Sequence, residues 1–96
     1  MTPEETQKAA TLIWEKWDAD ELLDELPENC SPQTELEAHA IQSVFPRVSG
    51  QPQAGWKIAA TSKAGQQHIK VDGPLAGIIL KERILENGAE CSLLSL

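Results

Sequence analysis

Apolar residues near the start of the chain recur with the spacing of an amphipathic helix. They stand three or four positions apart, at Ala10, Ile13, Trp14 and Trp17, which puts them on one helical face. Pro3 and the two glutamates after it suit the first turn of such a helix, where acids meet the positive end of the helix dipole. We predict that residues 18–20 interrupt this helix or start a second short one, and that Pro27 ends the apolar stretch.

A second helical pattern lies in the segment TELEAHAIQSVFPRV. Thr34 with Glu37 three residues later fits a capping box, whose reciprocal hydrogen bonds satisfy otherwise unpaired amides. Helical spacing then recurs at Ile41, Val44, Phe45 and Val48. Pro46 opposes a regular last turn, and the following SGQPQAG has the composition of a loop.

After Gly55 the apolar period changes from that of a helix to that of a strand. Trp56, Ile58 and Ala60 alternate with the residues between them, which predicts a strand with two faces. Thr61 or Ser62 is expected to cap a short helix over residues 63–69.

The last part of the chain predicts further strands. A turn is expected at residues 72–74, and the apolar run 75–80 fits a buried strand, although periodicity alone does not separate it from a helix. Asn87 and Gly88 form a hairpin signal, and the alternation after them predicts another strand up to the last residue.

These elements together predict an α+β chain. Residues 1–50 form a helical lead and residues 51–96 a strand-rich part, within a single small domain or a fragment of one. The final apolar strand would leave one edge unpaired. We therefore expect either the front part of a larger fold or a homo-oligomer that pairs through this C-terminal strand.

Composition and charge exclude several functional classes. The 96 residues carry a net charge of −7 with scattered basic residues, which argues against a nucleic-acid partner. The longest apolar run, residues 75–80, is too short to cross a membrane, and the first residues lack the apolar core of a signal peptide. Cys30 and Cys91 allow a disulfide, but two reduced thiols in a cytoplasmic protein are the favoured interpretation.

Lys57 is the first candidate for chemistry. A lysine on the outward face of a strand is usually a solvated charge that protects an edge. The functional alternative is a lysine in a partly apolar pocket beside Trp56 and Ile58, where it would pair with a substrate carboxylate or take part in proton transfer.

The remaining polar residues have simpler interpretations. Glu35 and Glu37 are expected to be capping and dipole charges, because residues two apart on a helix point in different directions. Glu82 and Glu86 fit a solvated helical face. The histidines lack a partner at zinc-ligand spacing, and His68 is either a surface residue or a ligand contact. Core positions are predicted for the large aromatic side chains, Trp14, Trp17, Phe45 and Trp56.

Two segments carry a resemblance to a known family. LIWEKWDADELLDELPENCSPQTELEAHAIQ, leading into GWKIAATSKAGQQHIKVDGPLAG, resembles the start of the 2-keto-4-pentenoate hydratase family. These 2-hydroxypenta-2,4-dienoate hydratases and related decarboxylases are allied to the fumarylacetoacetate hydrolase-like superfamily. The resemblance implies helices followed by the first strands of that superfamily's mixed β fold, incomplete in this chain.

The resemblance also implies a function and a site. Family members are metal-dependent hydro-lyases of aromatic catabolism that add water to a dienol, or decarboxylate a related keto-acid, with Mg²⁺ or Mn²⁺. Lys57 matches the lysine of the family's G-[WY]-K-[IV] motif and is the expected catalytic and substrate-binding residue, with Ser62 and His68 as further substrate contacts. Many hydratases carry P-D-F-G where this chain has Leu75 in place of the aspartate, so a carboxylate that aids proton movement is missing.

The metal-binding glutamates of the family belong to a later E-x-E strand, which this sequence does not contain. We therefore expect the chain alone to bind no metal and to lack catalysis. The alternative hypothesis is a non-catalytic module derived from that family, which self-associates or docks on a partner.

Overall fold

The computed structural model describes residues 1–92, in which helices come first and a two-stranded antiparallel sheet follows. The helices are α1 (Pro3–Asp18), α2 (Glu35–Ser43), α3 (Phe45–Ser49) and α4 (Lys63–His68). The strands are β1 (Gln53–Ala59) and β2 (Leu75–Leu80), and 3-10 turns lie at Glu28–Cys30 and Lys81–Arg83. The predicted α+β class is confirmed.

Helix α1 begins with a capping box that the sequence analysis missed. The Thr2 hydroxyl accepts a hydrogen bond from the Glu5 N–H at 3.1 Å, and the Glu5 carboxylate accepts one from the Thr2 N–H at 2.7 Å. The helix ends at Asp18, and Asp20 follows with a left-handed φ of 56°. The predicted interruption at residues 18–20 is confirmed, and residues 19–27 form no second helix.

The capping box predicted for α2 is only half formed. The Thr34 hydroxyl accepts a hydrogen bond from the Glu37 N–H at 3.1 Å. The Glu37 carboxylate instead accepts hydrogen bonds from the Gln33 N–H at 2.9 Å and from the Met1 ammonium at 2.8 Å. The Met1 ammonium, which precedes α1, therefore replaces the Thr34 N–H as a hydrogen-bond donor to the Glu37 carboxylate.

Pro46 divides the second helical pattern into two helices. Helix α2 ends at Ser43 and α3 begins at Phe45. Pro46 then lies in the first turn of α3, where its missing N–H costs no hydrogen bond. Gly50 closes α3 with a left-handed φ of 70°.

The main core lies where the helices meet. Its buried residues are small or of medium size: Ala9, Ala10, Cys30 and Ile41. Half-buried side chains surround them: Leu12, Ile13, Leu26, Val44, Phe45 and Val48. The apolar spacing of α1 and α2 thus correctly predicted which helical faces are buried.

Strand β1 differs from its prediction in two respects. It begins at Gln53, inside the segment predicted as a loop, and it contains an irregularity between Gln53 and Gly55. Trp56, predicted as a core anchor, is 57% exposed. That prediction was wrong because the described helices leave this part of the sheet uncovered.

One side chain of α2 joins the helices to the sheet. Gln42 Oε1 accepts a hydrogen bond from the Ile78 N–H, and Gln42 Nε2 donates to the Ala76 carbonyl at 3.4 Å. Both backbone groups belong to the edge of β2 that faces away from β1, since a ladder residue directs both of its polar groups to one side. Gln42 therefore occupies part of the place that a third strand would take.

The chain after β2 is less regular than predicted. The 3-10 turn ends at Arg83, so Glu82 and Glu86 do not line a helical face, and that prediction was wrong. A turn forms at the predicted Asn87–Gly88 position, closed by a 3.0 Å hydrogen bond from the Ala89 N–H to the Glu86 carbonyl. Residues 84–92 form no strand, and the rest of the predicted final strand lies outside the described residues.

No helix within residues 1–92 has the length and apolarity needed to span a membrane.

Candidate functional site

Lys57 lies in the middle of β1, where the alternation of the strand sets its direction. Its cross-strand partner is Gly77 of β2, and directly paired residues share one face of a sheet. Trp56 and Ile58 therefore project from the opposite face, and both are more than half exposed. Lys57 is itself exposed, so these two apolar neighbours do not enclose its ammonium group.

The residue opposite Lys57 is a glycine, which places no side chain next to the lysine. A Cβ added at Gly77 would contact Gln42 Oε1 at 3.4 Å and the Lys57 carbonyl at 3.9 Å, which are ordinary contact distances. A larger side chain at this position would stand next to the Lys57 side chain on the same face. The space next to Gly77 is thus bordered by Gln42, and Lys57 is accessible because its own side chain is exposed.

Ser62 and His68, the other predicted substrate contacts, lie at the two ends of α4. The Ser62 hydroxyl accepts a 3.0 Å hydrogen bond from the Gly65 N–H and caps the helix, as one of the two predicted alternatives. His68 is exposed in the last turn. The two residues are six positions apart, which corresponds to about 9 Å along the helix axis. A ligand that contacts both residues must therefore reach across the length of α4.

The segment that carries all three candidates is basic. We call residues 51–71, which contain β1 and α4, the β1–α4 unit. It holds three lysines, Lys57, Lys63 and Lys70, and neither aspartate nor glutamate. None of the three makes an ion pair with another described residue. Within a chain of net charge −7, this unit is a local region suited to carboxylate groups.

A separate groove lies between α1, β2 and the residues after β2. Its volume is about 530 Å³, and Trp17, Leu80 and Leu85 contribute apolar walls. The guanidinium carbon of Arg83 lies 4.4 Å from the Trp17 ring centroid and 5.9 Å from that of Trp14, within the range of a cation–π interaction. Lys57, Ser62 and His68 do not line this groove.

Arg83 is held in the groove by charge as well as by aromatic contact. Its Nε lies 2.7 Å from Glu82 Oε1, an ion-pair distance, but the N–H is not aligned for a hydrogen bond. Arg83 could not be identified from the sequence, because no local pattern links it to Trp17, which precedes it by most of the chain. Contacts between residues so far apart become visible only in the folded structure.

The described acids and histidines are dispersed. Glu35 lies 3.6 Å from His39, whereas Glu37 contacts Met1. No group of three histidine, cysteine, aspartate or glutamate side chains within residues 1–92 is arranged to hold a metal ion. These residues therefore do not fit the Mg²⁺ or Mn²⁺ that the family resemblance implies. Cys30 is buried, Cys91 is exposed, and both are free thiols.

A scan against protein-family models found no match to this chain, and searches of curated proteins and of solved structures found none either.

Proposed function

We propose that this chain carries the substrate-lysine part of a hydratase-like enzyme acting on 2-hydroxypenta-2,4-dienoate or 2-keto-4-pentenoate. Lys57 contacts the substrate carboxylate or assists proton transfer, since an ammonium group pairs with a carboxylate and can exchange a proton. Ser62 and His68 are the proposed flanking contacts. Because residues 1–92 do not gather metal ligands, the proposed role of the chain is confined to these side chains.

One observation carries the proposal. The two motifs behind the family resemblance, GWKIAATS and GPLAG, are paired as β1 and β2, with Lys57 opposite Gly77 and Ile58 opposite Ala76. Segments about twenty residues apart thus meet at the lysine, and the glycine places no side chain beside it. Among the described residues β1 pairs only with β2, so the exposed Lys57 is accessible to a small ligand and also stands where a lysine shields a strand edge.

The exposed surface of the sheet gives secondary support. An isolated two-stranded sheet is marginally stable in water, and Trp56 and Ile58 are 57% and 53% exposed on β1. Both features are expected of strands that belong to a larger sheet. A larger sheet is what a fumarylacetoacetate hydrolase-like fold would supply.

The test measures turnover of 2-hydroxypenta-2,4-dienoate by the full product of the gene in the presence of Mg²⁺. Lys57→Ala is expected to lower kcat/KM by about 10²–10⁴-fold, the usual contribution of a general acid or base. Lys63→Ala, which removes another exposed lysine of the β1–α4 unit, is the matched control and should leave kcat/KM nearly unchanged.

Two results would contradict the proposal. One is a full gene product that neither hydrates the dienol nor decarboxylates the related keto-acid. The other is equal loss of activity in the Lys57 and Lys63 variants, which would indicate a general charge effect rather than a role for one lysine.

A further inference from the structure

Two surfaces of this chain carry opposite charge. We call residues 18–28 the acidic segment, because they hold six carboxylates and no basic residue: Asp18, Asp20, Glu21, Asp24, Glu25 and Glu28. The β1–α4 unit has the reverse character, with three lysines and no acid. Each surface is therefore complementary in charge to the other.

Each surface also exposes apolar side chains. Leu22 in the acidic segment is 93% exposed, and Leu23 beside it is 37% exposed. On the β1–α4 unit, Trp56, Ile58 and Ile69 are 57%, 53% and 47% exposed. Trp56 and Ile58 are neighbours on one face of β1, and neighbouring exposed apolar groups are typical of protein interaction sites.

The backbone geometry leaves both surfaces accessible. Gln42 occupies the outer edge of β2, whereas β1 pairs only with β2 among the described residues, so its other edge has no strand neighbour. Residues 21–27 are neither helix nor strand. An irregular segment of this kind can lie along a strand edge and use its backbone hydrogen-bonding groups there.

We propose that the acidic segment of one copy of this chain docks on the β1–α4 unit of a second copy. Lying along the unpaired edge of β1, the segment would place Leu22 on the face that bears Trp56 and Ile58, and Glu25 on the opposite face with Lys57, because alternate side chains of an extended segment point to opposite sides. Asp24 and Glu25 make no ion pair with another described residue, so both can take partners in the second copy. This contact does not rest on the proposed enzymatic function.

A second copy is favoured over an unrelated acidic protein because one chain supplies both halves of the complementary pair. The overall charge of −7 opposes approach of two copies at long range. At about 0.1 M salt that repulsion is screened beyond about 10 Å, while charges in contact still attract. Self-association is thus expected at moderate salt and should weaken at about 1 M salt, where the screening length is about 3 Å.

The test is sedimentation equilibrium of the purified chain from micromolar to millimolar concentration. Asp24→Lys with Glu25→Lys gives one charge-reversed variant, and Lys57→Glu with Lys63→Glu gives the other. Each variant alone is expected to weaken association at least about tenfold, because charges of like sign then meet. Mixing the two variants should restore association, since each supplies the charge that the other lacks.

Matched controls separate the contact from net charge. Glu4→Lys with Glu86→Lys, and Lys8→Glu with Lys81→Glu, change the net charge by the same amounts at exposed residues outside both surfaces. These variants should associate as the wild type does. Leu22→Ser should weaken association without altering charge, and circular dichroism verifies that each variant keeps its helices.

Three results would overturn the proposal. The first is a wild-type chain that stays monomeric throughout the concentration range at about 0.1 M salt. The second is a mixture of the two reversed variants that associates no better than either alone. The third is association that survives both reversals and high salt, which would place the contact elsewhere, for example at the predicted C-terminal strand.

Discussion

At the scale of single residues, Gln42 joins segments that lie 34 and 36 positions apart along the chain. Its amide offers a carbonyl oxygen as acceptor and an NH₂ group as donor, so it can pair with a backbone N–H and a backbone carbonyl as a peptide group does. It therefore satisfies an N–H and a carbonyl of β2 that would otherwise need water or another strand. No spacing rule in the sequence distinguishes this glutamine from its neighbours, so its role could not be predicted.

Gln42→Ala is expected to destabilise the protein by about 1–3 kcal/mol, because two partly buried backbone groups lose their partner. Urea denaturation followed by circular dichroism measures the change. Gln67→Ala, at an exposed position on α4, should change stability by less than about 0.5 kcal/mol. Equal effects of the two substitutions would show that the Gln42 amide does not hold β2.

The sequence predicted the helix caps of α2 and α4, which depend on neighbouring residues, but not contacts that depend on distant ones. The cap of α4 was predicted to be Thr61 or Ser62, because capping depends on a hydroxyl a few residues from the amide that it satisfies, and Ser62 is the cap in the structure. The second half of the predicted Thr34–Glu37 box failed because Glu37 binds the distant Met1 ammonium. An interaction between residues a few positions apart can be predicted from their spacing. Competition from a residue far away in the sequence, such as Met1, cannot.

At the scale of elements, the positions of proline and glycine were the most informative signals. Pro46 lies in the first turn of α3 and Gly50 caps its end. Both residues act through local backbone geometry. The start of β1 was missed because Gln53–Gly55 has loop composition but is paired with β2 near Leu80. Pairing with a distant strand overrides local composition, which is why strand boundaries are harder to predict than helix ends.

The stability of helix α4 depends on the capping hydrogen bond from the Gly65 N–H to the Ser62 hydroxyl. A helix of six residues has few further backbone hydrogen bonds to stabilise it. Ser62→Ala is expected to cost about 0.5–2 kcal/mol, whereas Ser62→Asp should retain most of the stability, since aspartate is an equally good cap. Urea denaturation checks both variants.

The same pair separates the two roles of Ser62. A structural cap predicts that the aspartate variant behaves as the wild type in every assay. If Ser62 also contacts a carboxylate substrate, Ser62→Asp should keep stability but raise KM in the full gene product, because the new carboxylate repels the substrate.

At the scale of the whole molecule, the amino terminus ties the start of α1 to the first turn of α2. The hydrogen bond and charge of Glu37 raise the pKa of the Met1 ammonium above its ordinary value of 8.0. That ammonium and the Gln33 N–H lower the pKa of Glu37 below its ordinary value of 4.5. Each group is thus stabilised in its charged form by the fold.

The signs of these shifts predict two pH windows. The Glu37 contribution is present above pH 4.5 and is lost as the pH falls through its lowered folded-state pKa. The Met1 contribution is present below pH 8.0 and is lost as the pH rises through its raised folded-state pKa. The urea midpoint should therefore decline at both extremes.

Glu37→Gln should reduce both declines. The charge of Glu5 still raises the pKa of Met1, and the lowered pKa of Glu5 still contributes to the acid decline. Glu35→Gln, on the same first turn but paired with His39, is the control and should keep both declines. An unchanged pH profile in the Glu37 variant would contradict the link between the two helices.

The α+β class and the buried helical faces of this molecule could be predicted from its sequence, but the surroundings of the candidate site could not. Apolar periodicity reports which face of an element is buried, as it did for Ala10 and Ile41. It does not show whether other elements pack on both faces of a strand. For that reason the core position predicted for Trp56 was wrong. The roles of Lys57 and His68 stay predictions.

The glutamine bridge on β2 has a consequence for how this sheet can be extended. With the amide of Gln42 bound at Ala76 and Ile78, an additional strand would have to displace it to join from that direction. The opposite border, along Gln53–Ala59, offers no such obstacle among the described residues. A strand added to this sheet, from any polypeptide, is therefore expected to pair with β1, the strand that bears Lys57, rather than with β2.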